Sequence, residues 1–417
     1  MLKSIILRTG LFGAGRQPLF HGAACLFLLR LVQLCSALAG TYFVARSMGK
    51  NEFGEYNMVL NAVGILTIFT LSGFNNSLMQ AVARGYEGTF RAGVPLAFAC
   101  SFIGSVILFG MSAYYFVVEQ THMGWSLLIA ALLFPFAHGL VQWKSLVTGR
   151  ARFGQLLVHD GASSILTYGL IILAVHRYPG DYVVPIALMM FVPALYNVGL
   201  TLLNLRTIPR EAPVEHQNVR YGLKTTLYSG LGAIGSNVDR LLLFFLLSPA
   251  ALAIFVAAGR IPDLLSGTIQ DISAVLAPRL SKHPAYTKRL DRIFFVLSLA
   301  YGAAIVVFAF SALPIAVTLL FGDNYAEAIP YAQALACAVA MGNLANLRFR
   351  YIRSKIDARG FRDITLVSSI VRLFAFLALV PPFGLVGAVV ATFVYRLALM
   401  AVTQVVIKRH YAGLAQR

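Results

Sequence analysis

Nine charged side chains stand inside long apolar runs of this sequence: Arg30, Arg240, Arg260, Arg372 and Arg396, with Asp160, Asp239, Asp263 and Asp271. A charge at membrane depth costs several kcal/mol unless it is paired or hydrated. Arginine offers phosphate a planar two-toothed fork and keeps its charge at any working pH. An internal excess of arginine over aspartate therefore suits an anion, and a pyrophosphate group fits that chemistry. Helical spacing adds polar neighbours. Arg260, Asp263, Gly267 and Asp271 recur at i, i+3, i+7 and i+11, which is one helix face. Asn57, Asn61, Gly64, Ser72 and Asn75 form a second such face, and Arg30, Gln33, Ala37, Gly40 and Thr41 a third. Tyr228, Gly232, Gly235 and Asp239 form a fourth, with Arg240 beside them.

Four polar faces on otherwise apolar helices predict a water-filled cavity. Its expected ligand-binding groups are Arg30, Arg240 and Arg260 for phosphate, and Gln33, Asn57, Asn61, Asn75 and Tyr228 for hydroxyl-rich matter. Asp239, Asp263 and Asp271 would balance charge or carry a coupling ion. Each residue also has a plainer reading. Gly and Ser stripes serve close helix packing. Arg260 and Asp263 could pair within one helix, and Asp271 could serve Arg279. Arg372 and Arg396 suit a bridge within one half, or lipid phosphate, as well as a ligand. His138 and His159 are lone histidines.

Catalysis finds no footing. The chain has no GxxxxGK[ST], no DxD and no HExxH. No enzyme activity, metal or other cofactor is expected. Cys25, Cys35, Cys100 and Cys337 lie singly in apolar runs and read as small hydrophobes.

These side chains need elements to hold them. Of the 417 residues, 59% are hydrophobic and 12% charged, and mean hydropathy is +0.76. A soluble domain carries about twice that share of charge, so an all-α polytopic membrane protein is expected. With ~20 apolar residues per crossing, twelve transmembrane spans are predicted: 20–44, 54–81, 92–118, 124–148, 154–176, 182–205, 222–247, 250–278, 293–320, 326–347, 363–381 and 384–407. The run from Phe20 is too long for a signal peptide and contains Arg30. With the N-terminus inside, 26 of the 34 Lys and Arg fall in cytoplasmic segments and only Arg46, Lys50 and Arg177 outside. That bias places both termini in the cytoplasm. The net charge of +18 then points to anionic lipid rather than nucleic acid.

Residues 207–219 are polar and contain two prolines. They read as a cytoplasmic linker between an N-terminal lobe (1–206) and a C-terminal lobe (220–417), each of six spans. An offset of 199 residues aligns Tyr56 with Phe255 and Asn61 with Arg260, as a parallel repeat would. The cavity is expected between spans 1, 2, 7 and 8.

Four motifs carry a resemblance. Ala45-Arg46-Ser47-Met48-Gly49-Lys50-Asn51-Glu52-Phe53-Gly54-Glu55-Tyr56 is similar to the pattern ARxLGxxxFGxY, with Met48 at the Leu position, and Asp239-Arg240-Leu241-Leu242-Leu243 is similar to a signature of span 7. Phe321-Gly322-Asp323-Asn324-Tyr325-Ala326-Glu327-Ala328 matches FGxxYxxA. Phe383-Gly384-Leu385-Val386-Gly387-Ala388-Val389-Val390-Ala391-Thr392 is similar to FGxxGAAxAT, with Val389 at its second Ala. Together they resemble the Wzx-type polysaccharide exporters of the multidrug/oligosaccharidyl-lipid/polysaccharide flippase superfamily. One departure is Ala253-Ile254-Phe255, where the family usually has GxY. The resemblance implies alternating access, a bacterial inner-membrane address and an undecaprenyl-pyrophosphate-linked oligosaccharide as cargo. It maps the family's span 7 residues onto Asp239 and Arg240. Membrane lipids, and glycan polymerase or synthase components, are the implied partners. The rival expectations are a small-solute or multidrug antiporter of the same fold and a membrane component of a synthase complex.

Overall fold

The structure is a computed structural model that describes residues 16–215, 222, 226, 237–282, 288–354 and 358–411. Every element among them is helical: α1 (Arg16–Ser47), α2 (Lys50–Leu66), α3 (Ser72–Ala83), α4 (Gly88–Val117), α5 (Thr121–His138), α6 (Gln142–Gly149), α7 (Phe153–Arg177) and α8 (Val183–Thr207). Residues 237–246 are helical and lead into α9 (Pro249–Lys282), α10 (Lys288–Ser311), α11 (Leu313–Phe321), α12 (Ala328–Ser354) and α13 (Ala358–Tyr411). In hydrocarbon every backbone group needs an internal partner, which leaves helices as the one economical choice for such apolar runs.

Among the described residues, nine helices are long and apolar enough to cross a membrane, or ten if the bent α2–α3 pair is one span. The expected twelve are not all separate here. Half of the predicted span 222–247 lies outside the described residues. Predicted spans 363–381 and 384–407 run together in one 48-residue stretch, Arg362–Arg409. As a single rod that would be about 72 Å, more than twice a hydrocarbon core. The chain breaks it at Gly384, whose φ is 58° and ψ −135°. Pro381 and Pro382 precede the break. A Cβ on Gly387 would lie 2.0 Å from the Leu379 carbonyl oxygen, so the two legs double back on each other.

The bends inside other spans have local causes. The α2–α3 pair turns by 49° around Leu71, which is left-handed at φ 56°. Thr67 and Thr70 hydroxyls donate to the carbonyls of Gly64 and Thr67 and satisfy groups the turn would orphan. Pro135 cannot donate to Ala131 in α5, and the Ser105 hydroxyl of α4 takes that carbonyl instead. Where α5 ends, Asn197 and Thr201 of α8 donate to Ala137 and Leu140 carbonyls, at 2.8 and 3.0 Å. The freed helix end lets α6 turn, with Trp143 buried and its indole N–H 2.8 Å from Asn197 Oδ1.

Packing follows the two halves of the chain. In the first, α4 lies on α5, α5 on α8, and α7 on both α1 and α8. In the second, α12 lies against α9, α10 and α13. Contact between the halves is carried mainly by α2 on α9, and by α1 on α11. Gly54 makes the first of these possible: a Cβ there would lie 1.9 Å from the Pro249 carbonyl oxygen. At the same end Lys50 pairs with Glu327, and Arg46 donates to Leu319 O at 3.1 Å. Arg46 thus places a cation at the C-terminal end of α11, where the helix dipole is negative. Phe53, Phe321 and Tyr325 fill the space between with edge-on rings.

The described part of the 207–219 connection is strapped to the first half. Gly88 N donates to Pro213 O at 3.1 Å, and Arg91 donates to the carbonyls of Leu205 and Ile208. Arg84 pairs with Glu215 at 2.7 Å. Beside it, Arg150 grips Glu87 with two N–H groups, and this hydrogen bonding holds the Glu87 carboxyl below its ordinary value of 4.5.

Two outcomes are expected. Gly54→Val forces α2 from α9 and lowers stability by about 1–3 kcal/mol, read as a lower melting temperature in detergent. Because the folded-state pKa of Glu87 is depressed, its contribution is present above pH 4.5 and lost as pH falls through the folded value. Being partly exposed, it is worth less than about 1 kcal/mol. Amide exchange at residues 84–91 should rise on acidification in wild type and be raised already at neutral pH in Glu87→Gln.

Candidate functional site

Two cavities flank α9. The larger, about 590 Å³, opens among α1, α2, α5, α6, α7, α8 and α9 and is lined by Arg30, Gln33, His138, Lys144, Asp160 and Arg260 among others. The second, about 380 Å³, lies in the second half and is lined by Asp239, Arg240, Asp263, Arg372, Tyr395 and Arg396 among others. A small pocket of about 100 Å³ at Thr41, Tyr56, Asn57 and Tyr168 shares Arg260 with the larger one. The expected single cavity between spans 1, 2, 7 and 8 is therefore divided. A helix crossing between two halves has two sides, and α9 lines a cavity with each.

That division separates Arg260 from Asp263. One turn apart, they were expected to share a face and open the prospect of pairing with each other. Arg260 instead reaches the first half and donates to Thr41 Oγ1 at 3.1 Å, while its Nε is buried without a partner. Asp263 faces the other way and pairs with Arg240 at 2.8 Å. Gly267, also on α9, lines the second cavity, yet Arg30 from α1 comes within 3.8 Å of where its Cβ would stand. That distance is ordinary van der Waals contact, so Arg30 reaches from the first half to the wall of the second cavity.

The amides divide by what already holds them. Gln33 lines the larger cavity and donates to Asp160 Oδ2 at 2.9 Å. Asn57 lines the small pocket while its Nδ2 donates to Phe53 O. Asn61, expected to face a ligand, is buried: its amide donates to Asn57 O and its carbonyl accepts from Arg240 at 3.3 Å. Asn75 lines neither main cavity, and its Oδ1 is buried without a partner. Tyr228 and the side chain of Asp271 lie outside the described residues.

Arg372 and Arg396 sit nearer the site than expected. Arg372 pairs with Asp239, whose side chain is only 4% exposed, and both guanidiniums lie over the Tyr395 ring, 5.0 and 5.4 Å from its centroid. Gly342 makes room for Arg396, whose Cδ would lie 2.6 Å from a Cβ there. The hairpin at Gly384 explains why a residue of each leg reaches one ring.

Lys144 was missed. By sequence it belongs to a cytoplasmic loop, because it sits near Arg150 and Arg152. The turn after α5 swings it into the larger cavity, where its ammonium is 2.5 Å from Asp160 Oδ1. Only Pro135 and Gly139 hinted at such a break. His138 also lines this cavity, with Nε2 buried and unpartnered.

Among the described residues, the larger cavity thus presents Arg30, Lys144 and Arg260 against the single carboxylate of Asp160. The second presents three arginines against two aspartates. Cationic excess inside a low-dielectric bundle attracts anions and repels cations.

The profile of a family described as polysaccharide biosynthesis protein matches residues 19–283. No curated protein matches the chain in sequence. Among solved structures, the fold is similar to that of the lipid II flippase MurJ in an inward closed conformation (TM-score 0.68, 13% identity, covering 93% of this chain and 87% of that one). It is also similar to a multidrug resistance MATE family transporter of the MOP superfamily in an inward-facing conformation (0.61, 14%, 93% and 98%). A MOP superfamily transporter from Pyrococcus furiosus, described as having a binding pocket of reverse polarity, matches over 96% of both chains (0.63, 14%). The chain has the MOP-superfamily transporter fold, as a multi-pass all-α membrane protein.

Removing Asp239 should expose the cost of the charge it answers. Asp239→Asn is expected to lower stability by about 3–5 kcal/mol. The double variant with Arg372→Met should regain most of it, as read by thermal unfolding in the same detergent.

Proposed function

Because the chain belongs to the polysaccharide biosynthesis protein family, we propose that it is a flippase for an undecaprenyl-pyrophosphate-linked oligosaccharide, moving it from the inner to the outer leaflet of a bacterial inner membrane. The observation that carries this reading is the larger cavity, where among the described residues three cations and one carboxylate line an opening inside an apolar bundle. The pyrophosphate engages Arg30, Arg260 and Lys144, the glycan occupies the polar space around Gln33 and Asn57, and the polyprenyl tail stays in lipid. Arg240, Arg372 and Arg396 extend the positive path into the second cavity. Asp239 and Asp263 balance them or carry a coupling ion.

Transport runs by alternating access between lobes 1–206 and 220–417, joined at 207–219, with both termini in the cytoplasm. In that orientation the closed end is the outer one, where Lys50 meets Glu327 and Arg46 meets α11. The cavities are then offered to the inner leaflet. The protein is a carrier rather than a catalyst, working beside the machinery that builds or polymerises the glycan.

A strain lacking the gene should accumulate a defined lipid-pyrophosphate-linked glycan on the inner leaflet, with loss of the surface glycan. Arg30→Gln, Arg240→Gln and Arg260→Gln should each lower export about 30- to 100-fold at unchanged membrane levels. That range corresponds to ~2–3 kcal/mol for a lost charged hydrogen bond. Full export by all three variants would overturn the cationic cavity. No accumulation, with drug sensitivity instead, would transfer the assignment to the small-solute antiporters that share the fold.

A further inference from the structure

Two hydrogen bonds join the halves at the level of the cavities, and both end on neutral acceptors. Arg260 of α9 donates to the hydroxyl of Thr41 in α1 at 3.1 Å. Arg240 donates to the amide oxygen of Asn61 in α2 at 3.3 Å. Each acceptor is fixed by its own half. Thr41 Oγ1 donates to Ala37 O at 2.7 Å, and Asn61 Nδ2 donates to Asn57 O at 2.6 Å. Both lone-pair-bearing oxygens are thus turned toward the other half. Arg240 is anchored on its own side by Asp263. Arg260 has no carboxylate partner among the described residues, and its Nε is buried and unpartnered. It also lines two pockets at once.

We propose that Thr41 and Asn61 are positioning residues that hold Arg260 and Arg240 across the boundary between the halves while the cavity is empty. An incoming pyrophosphate then takes the guanidiniums from them and so frees the halves to move. This rests on the flippase reading of the site. A hydroxyl or amide oxygen is a weaker acceptor for a guanidinium than an anionic phosphate oxygen, which also takes the guanidinium through two parallel N–H···O bonds. The exchange therefore runs toward the ligand, and each bond lost to it is one fewer between the halves. A ligand shifts a conformational balance only by what it binds differently in the two states. Here the difference is specific: in the closed arrangement the arginines are partly occupied, and in the parted arrangement they are not. The empty protein is held shut by the same side chains that recognise the cargo.

The test uses the full chain in lipid nanodiscs with inorganic pyrophosphate as probe. Affinity is measured by calorimetry. The halves are followed by the distance between spin labels at Glu119→Cys and Asn324→Cys, after replacement of the four native cysteines. Both positions are exposed, at the same end of the bundle and in different halves. Wild type should bind pyrophosphate and shift the distance distribution outward. Thr41→Val keeps the side-chain shape and removes the acceptor. It should bind pyrophosphate about tenfold more tightly, or ~1.4 kcal/mol, and populate the longer distance without ligand. Thr41→Ser should behave as wild type, and Asn61→Leu as Thr41→Val. Pyrophosphate affinity that is lost in Arg260→Gln but unchanged or weakened in Thr41→Val would overturn the exchange and leave the site standing. Failure of wild type to bind pyrophosphate would overturn the site and the exchange together.

Discussion

A charge placed in a low-dielectric bundle must be answered, and most of the interior of this protein is arranged around that demand. Asp239 answers Arg372, Asp263 answers Arg240, and Asp160 answers Lys144. Tyr395 offers a ring face to two guanidiniums. Gly342 clears space so that Arg396 reaches its place. Arg260, left without a carboxylate among the described residues, takes the Thr41 hydroxyl instead and lines open volume. A charge at such depth needs either a partner or hydration, so cavity and charge belong to one feature.

The backbone obeys the same rule in neutral form. Each bend within a span frees carbonyl groups, and nearby hydroxyls and amides take them: Ser105 for Ala131, Asn197 for Ala137, Thr201 for Leu140. The bend after α5 shapes the cavity as well as the chain, because it turns Lys144 into the larger cavity.

The sequence made the all-helical membrane architecture legible, because apolar runs of span length leave few alternatives. The intramembrane arginines and aspartates were equally visible as chemistry out of place. What could not be read was direction. Periodicity puts Arg260 and Asp263 within one face, but a helix between two cavities splits that face, and which neighbour each side chain meets depends on packing. Asn61 looked like a ligand for sugar and is instead held between its own helix and Arg240. Lys144 looked like one more loop cation, since span prediction assumes straight helices. Arg372 and Arg396 seemed remote because they are far along the chain, yet each stands twelve residues from Gly384, one on either leg of the hairpin.

That symmetry has a consequence for how the protein is made. Twelve helical residues are about 18 Å, so the two legs carry their arginines to equal depth, well inside the hydrocarbon. The turn between them holds prolines, glycine and apolar residues but no charge, and the nearest flanking cations, Arg362 and Lys408, mark the far ends of both legs. With both termini on the cytoplasmic side, as proposed, such a hairpin would enter the bilayer as one piece, turn first, carrying two guanidiniums at a cost of roughly 2.5–3.5 kcal/mol each. Synthesis from the N-terminus delivers Asp239 more than a hundred residues earlier. In that orientation the carboxylate precedes the arginine it neutralises, and the order of the charges along the chain is the order in which the bilayer could accept them.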